Sequence, residues 1–341
     1  MKRKEDENMK KSLAMLLAGA MVVASLTACG SGTKETTAET TAETTAETTA
    51  DADGKTYKIG VLQLVEHAAL DASNEGFVAA LNDSGISYEI DQQNAQNDQS
   101  ACQTIAEKLV NDGDDLILAI ATPAAQAVAG VTTEIPIVGT AITDFAASGL
   151  VESNDAPGGN VTGSSDLTPI EAQISLLQKV LPEAKTVGIL YCSAESNSDI
   201  QLQMTKDACD AAGLAYEEFS VASSNEIQSV VESAVGKVDC LYSFTDNTIA
   251  AGMNTVSMVA NENGIPVICG EQGMVEAGGL CTYSIDYYEL GYLAGEMAVK
   301  ILKGEADPAT MPIEYYPEDK CQFIGNEETA KVLGIDISGL E

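Results

Sequence analysis

The 341 residues suffice for two domains of ordinary size, and they carry 52 Asp and Glu against 17 Lys and Arg, a net charge of −35. Residues 1–29 hold +2 and residues 30–56 hold −4, which leaves −33 on residues 57–341. A body that acidic is repelled by nucleic acid and by anionic membrane surfaces, and with aromatics at 5% and no Trp its cores must be aliphatic.

Residues 10–29 read as a secretion signal, with Lys10-Lys11 ahead of an apolar run from Leu13 to Leu26. The run is too short for a comfortable membrane span. It ends at Leu26-Thr27-Ala28-Cys29, which resembles the bacterial lipobox, in which the Cys is lipidated and becomes the mature N-terminus. Met9 is an alternative start, since Glu5-Asp6-Glu7 is atypical of a signal. Residues 30–56 repeat Thr-Thr-Ala-Glu and read as a disordered tether, able to span on the order of 30 Å. Signal, lipid Cys and tether together predict a globular body held by a lipid anchor at the outer face of the cell membrane.

From Tyr57 the pattern alternates between strand and helix. Lys58 to Leu64 is a predicted strand, and Glu66 and His67 follow it. Leu70, Phe77, Val78 and Leu81 keep helical spacing up to Gly85. Ile86 to Ile90 is the next strand, and Ile105, Ala106, Leu109 and Val110 give the next helix its buried face. The stretch from Asp115 to Val128 then runs strand, polar break, helix, and Ile135 to Val138 is a further strand. Gly158-Gly159-Asn160 to Ser165 reads as a loop crossing to a second lobe. Ile170, Ile174, Leu177 and Leu181 form a helical stripe stopped by Pro182.

The order then repeats: Thr186 to Tyr191, a helix near Ile200 to Ala212, Ala215 to Phe219, a helix near Glu226 to Val235, and Asp239 to Met253. Gly60 falls on Gly188 at an offset of 128, Pro136 on Pro266 at 130, and Asp115 on Asp239 at 124. Matches in order at a near-constant offset argue for two similar lobes. The fold expected is α/β, with two doubly wound parallel-sheet lobes joined by crossing segments. Lobe 1 comprises 57–164 plus 286–311, and lobe 2 comprises 165–285 plus 312–341. Leu280 to Ile285 returns the chain to lobe 1, and the tail after Pro312 adds a strand and a short helix.

Residues just beyond strand carboxyl ends face the crevice of an open α/β sheet. Thr122-Pro123 reads as a capped helix start whose free amides, with Ala124 behind, suit a carboxylate. Asp246 and Asn247 hold the matching place in lobe 2. Asp246 either pairs with a ligand ammonium or hydroxyl or simply caps its helix. Glu66 and His67, Ser196 and Asn197, and Glu271 belong to further strand-end loops, while Asp166 and Asp286 lie near the crossings. There is no G-x-S-x-G elbow, no Walker A and no G-x-G-x-x-G, and the lone His has no triad context, so an enzyme is disfavoured. No C-x-x-C or Cys/His cluster supports a metal, and no cofactor is expected. The cysteines near apolar strands read as small buried hydrophobes.

Lys58 to His67 (KIGVLQLVEH) with Leu70-Asp71, Ala121 to Gln126 (ATPAAQ), Gly158 to Gly163 (GGNVTG) and Thr245 to Thr248 (TDNT) carry a resemblance. Together these segments resemble the ABC-transporter substrate-binding lipoproteins related to tryptophan- and tyrosine-binding components, over about residues 57 to 325. The resemblance implies a type I periplasmic-binding-protein fold that closes on a small ligand, an aromatic amino acid or something similar. It implies a permease and an ATPase as partners, and a monomer. A sugar- or nucleoside-binding relative, or a ligand sensor, is the alternative.

Overall fold

The computed structural model describes residues 54–340. The expectations for the signal, Cys29 and nearly all of the tether lie outside that range. The tether expectation overruns by one residue: Thr56 is already the first residue of a strand.

Lobe 1 builds from β1 (Thr56–Gln63), α1 (Ala68–Ser84), β2 (Ser87–Asn94), α2 (Gln99–Asp112), β3 (Leu116–Ile120), α3 (Thr122–Ala129), β4 (Ile137–Ile142) and β5 (Val161–Ser165). The chain crosses into α4 (Ile170–Val180), β6 (Thr186–Cys192), α5 (Ser196–Ala212), β7 (Ala215–Val221), α6 (Ile227–Ala234), β8 (Cys240–Ser243), α7 (Asn247–Ala251), α8 (Met253–Glu262), β9 (Val267–Cys269), α9 (Gln272–Glu276) and β10 (Cys281–Ser284). It returns through α10 (Tyr287–Leu302) and β11 (Glu314–Tyr315), then ends in β12 (Gln322–Gly325) and α11 (Glu327–Leu333).

The two sheets share one topology. Lobe 1 orders its strands β11-β5-β4-β3-β1-β2, and lobe 2 orders them β12-β10-β9-β8-β6-β7. All neighbours are parallel except β12, which runs antiparallel to β10. In each lobe the order reverses beside the first strand, β1 or β6. That switch point opens a crevice at the strand carboxyl ends. The residues that follow β1, β3, β6 and β8 therefore meet there.

Central strands are apolar on both faces because helices cover both. All five residues of β3 (LILAI) are buried. Lobe 1 packs them with Ile59, Val61, Phe77 and Leu109. In β8, Cys240 and Tyr242 join one core with Ile174, Leu177 and Val187, while Leu241 joins the core on the other face with Val231, Met253 and Val256. Buried Tyr242 donates its hydroxyl to Gln173 Oε1 at 2.6 Å, and Gln173 donates to the carbonyls of Gly270 and Tyr283. The amide of Gln173 thus pins α4 across the sheet without leaving a polar group orphaned. The cysteines among the described residues are all free.

Three crossings join the lobes, and two differ from expectation. Val161–Ser165 is strand β5, not a loop, so the first crossing is Asp166–Pro169. Small polar residues (VTGSS) give no strand alternation, which is why the sequence reads as loop. Likewise Cys281–Ser284 is β10, and only Ile285-Asp286 crosses back. The third crossing follows β11. Glu314 and Tyr315 pair with Ser164 and Ser165, so residues 314–315 extend the lobe 1 sheet instead of belonging to lobe 2.

Candidate functional site

The loops at the two switch points close on one another. His67 Nε2 lies 3.3 Å from Asn247 Oδ1, and Asn97 Nδ2 donates to Thr248 Oγ1 at 2.9 Å. Gln99 donates to the Ala194 carbonyl, Ser196 Oγ to Gln126 Oε1, and Gln201 to Thr143 Oγ1. Each bond joins a lobe 1 residue to a lobe 2 residue, so this is a closed arrangement.

Between the lobes lies a cavity of ≈ 10 Å³, room for about one water. It is lined by His67, Leu70, Ala141, Thr143 and Tyr287 from lobe 1, by Asn197, Thr245, Asp246, Asn247, Ala250 and Glu271 from lobe 2, and by Asp166 from the first crossing. Two grooves of ≈ 280 and ≈ 290 Å³ adjoin it and share Ala68, Glu271 and Gly273. The cavity alone is smaller than an aromatic side chain, and the two grooves beside it supply further space. Backbone strain collects at this edge: Ala121 after β3 has φ 82°, and Ala141 at the end of β4 has φ 55°.

Three buried carboxylates face the cavity, and their partners differ. Asp246 accepts from Cys192 N at 2.6 Å, Ser198 Oγ at 2.7 Å and Ile249 N at 2.9 Å. It caps α7 and ties it to the end of β6. Burial, together with the neighbouring Glu195 charge, pushes its pKa up. Glu271 caps α9 through the amides of Gly273 and Met274, and burial raises it to about 7. Asp166 differs. Its Oδ2 accepts from the Tyr287 hydroxyl at 2.9 Å, but its Oδ1 is buried without a partner. Burial raises Asp166 to about 6.

Two further acceptors are unpaired, Asn197 Oδ1 and His67 Nδ1. The His67 tautomer follows from its neighbour. Asn247 gives its Nδ2 hydrogens to Glu195, so its Oδ1 accepts the proton on His67 Nε2. His67 Nδ1 is then a bare lone pair, and desolvation keeps the ring neutral by lowering its pKa. One polar cavity thus presents three unpaired acceptors, one of them a carboxylate. Buried acceptors left without donors are costly, and they mark where a ligand's donors belong.

The other sequence-derived candidates take several positions. Thr122 is buried, but it is the first helical residue; the cap position is Ala121, and no side chain caps α3. The expected Thr cap is therefore corrected, with Pro123 in the first turn and Ala124 buried behind it. Ser196 starts α5, four residues earlier than the predicted helix, and bonds the facing lobe. Glu66 is exposed and lines a flanking groove. Asp286 is exposed and caps α10 through Glu289 N. The sequence reading missed Tyr287, Thr143, Asn97 and Glu195. For Glu195 a signal existed: the offset of 128 that places Gly188 on Gly60 also places Glu195 on His67, both at helix cap positions.

Among the described residues no helix is long and apolar enough to cross a membrane. No group of three or more His, Cys, Asp or Glu among them is arranged to hold a metal.

The family model for the ABC transporter substrate binding protein matches residues 58–339. The tyrosine-binding protein of Clostridioides difficile (strain R20291) is 41% identical over 329 residues, covering 95% of this chain and 92% of that protein. The ABC domain from Streptococcus pneumonia, solved in complex with L-Trp, is 39% identical with a TM-score of 0.80, covering 84% of this chain and 97% of that one. The ligand-free, open structure of a substrate binding protein with adhesive properties from Clostridium difficile covers the same shares at 45% identity, but its TM-score is 0.64. The relative more alike in sequence fits less well in space. The two lobes and three crossings form the type I periplasmic-binding-protein fold. With a family model and several relatives above 30% identity agreeing along the folded body, the chain belongs to the ABC transporter substrate-binding proteins, the extracytoplasmic, non-catalytic ligand carriers of ABC importers.

Proposed function

We propose that this protein captures an aromatic amino acid between its lobes and delivers it to an ABC permease driven by its ATPase. The observation that carries the reading is the set of three unpaired acceptors around one cavity: Asp166 Oδ1, Asn197 Oδ1 and His67 Nδ1. An ammonium brings three N–H donors and a positive charge, which match three acceptors and one uncompensated carboxylate. The tyrosine-binding and L-Trp-bound relatives support the aromatic part of the reading.

Asp246 stays in the site as lining; its filled bonds and the free oxygen of Asp166 support Asp166 as the ammonium's partner. The ligand carboxylate falls to lobe 1, where Thr143 lines the cavity. Ligand binding stabilises the closed form by its greater affinity for that form. A sugar- or nucleoside-binding site would call for mixed donors and acceptors, and the acceptor excess disfavours it. A thermal-shift panel of amino acids, nucleosides and sugars tests the class. L-tyrosine or L-tryptophan should raise the melting temperature, and a shift given only by a sugar or nucleoside would reject the reading.

The same reading includes a lipid anchor at Cys29, on the strength of Leu26-Thr-Ala-Cys29 behind a charged and apolar signal. Metabolic labelling with a fatty acid should tag the wild type and not Cys29→Ala. Equal labelling of both would reject the anchor. The carrier works as a monomer beside its permease, without nucleic acid or cofactor.

A further inference from the structure

Glu195 is 3% exposed and stands at the head of α5. Its Oε1 accepts from Thr248 N at 2.9 Å and Thr248 Oγ1 at 2.7 Å. Its Oε2 accepts from Asn247 Nδ2 at 2.6 Å, with Asn247 N at 3.4 Å and Asn197 Nδ2 at 3.5 Å. Asp246 caps α7 through Ile249 N, and Glu195 takes the amides of Thr248 and Asn247 ahead of it. Glu195 also fixes two side chains. By taking the hydroxyl proton of Thr248 it turns the oxygen's lone pairs outward. By taking the amide hydrogens of Asn247 it turns that side chain's Oδ1 outward. Both oxygens then accept from the facing lobe, from Asn97 Nδ2 and from His67 Nε2.

We infer that Glu195 is the positioning residue of a closure latch, setting Thr248 and Asn247 as paired acceptors for Asn97 and His67 of the other lobe. This rests on the reading of the protein as a ligand clamp. The lobe 1 side is pre-set as well: Gln96 and Asn97 have φ of 53° and 62°, a strained turn that aims Asn97 across the cleft. His67 links latch to cargo. A donor arriving at Nδ1 polarises the ring and strengthens the Nε2 bond to Asn247, so a filled site holds the latch more firmly.

Glu195→Gln separates this role from simple packing. A Gln keeps the shape but has one acceptor oxygen for two sides. Turned to Asn247, it sets its NH2 against the Thr248 N–H; turned to Thr248, it sets its NH2 against that of Asn247, which then flips and meets the His67 N–H. The closed fraction is read by single-molecule energy transfer between one dye on each lobe, with and without L-tryptophan and L-tyrosine, alongside calorimetric affinity and melting curves. Glu195→Gln and Asn97→Ala should each lower the closed fraction, and Glu195→Gln should weaken affinity at least tenfold. The double variant should lose much less than the product of the two losses, because both changes break the same latch. A merely structural Glu195 would lower the melting temperature and combine multiplicatively with Asn97→Ala. Wild-type closed fraction in Glu195→Gln, or multiplicative effects, would overturn the inference. If neither amino acid binds, the functional reading fails on its own. The closed excursions of the ligand-free protein then decide the latch by the same comparison.

Discussion

Asp166→Asn should weaken an aromatic amino acid by about a hundredfold while leaving the protein at least as stable as the wild type. Its carboxylate is the one in the cavity with a free buried oxygen. Removing one partner of a buried, hydrogen-bonded charge pair costs about 3 kcal/mol, or two decades in Kd. Asn keeps an acceptor for the Tyr287 hydroxyl, so the local bond survives. Stability moves the other way. Burial raises Asp166 to about 6, above its usual value, so the folded ligand-free protein holds this proton more tightly than the unfolded chain. At pH 7 the ionised group therefore weakens the fold, and its cost disappears as pH falls through about 6 towards 4. Affinity follows the opposite sign: a bound ammonium needs the carboxylate ionised, so binding should weaken below about pH 6 in the wild type and lose that dependence in Asp166→Asn. Asp246→Asn gives the contrasting phenotype. An amide there strands a backbone donor at Cys192 or Ile249, so melting temperature should fall with affinity little changed. Affinity lost at Asp246 and kept at Asp166 would reverse the two assignments.

Gly291→Ala should cost about 3 kcal/mol of stability and also loosen binding. Helices α1 and α10 cross with their backbones in contact. A Cβ on Gly291 would stand 1.8 Å from the Ser73 carbonyl oxygen, and one on Gly76 would stand 2.0 Å from that of Tyr288. Both obstacles are backbone, so no rotamer change relieves them and the helices must part. Each helix begins in the site, α1 directly after His67 and α10 with Tyr287. Parted helices shift the partner of Asp166 and a latch donor together. Urea unfolding and a ligand titration of the same variant check the pairing of effects. A stable variant with normal affinity would show that the crossing yields at little cost.

The architecture was legible in the sequence because it rests on patterns that survive locally. Strand, polar break and helix recur at a steady offset, and β3 and β8 announce themselves as short apolar runs. The crossings were not, because β5 is made of small polar residues and only its neighbours β4 and β11 reveal it as a strand. The site divided along the same line. Position past a strand end marked His67, Asn197, Asp246 and Glu271 as cavity residues. Their roles depend on which donors other segments bring. The amide of Cys192 and the hydroxyl of Ser198 occupy Asp246, and nothing near residue 246 announces them. Asp166 has an open oxygen because only Tyr287, more than a hundred residues away, reaches it.

The most direct test of the account compares each candidate amino acid with its own des-amino acid. Calorimetric titration of the wild type at pH 7.5 uses L-tryptophan against 3-(indol-3-yl)propionate and L-tyrosine against 3-(4-hydroxyphenyl)propionate, about one unit above the ordinary His pKa. The pairs share ring and carboxylate and differ only in the ammonium. The account predicts that at least one L-amino acid binds about a hundredfold more tightly than its des-amino partner, and that Asp166→Asn removes most of the difference. Equal affinities within a pair, or a difference that persists in Asp166→Asn, would contradict it.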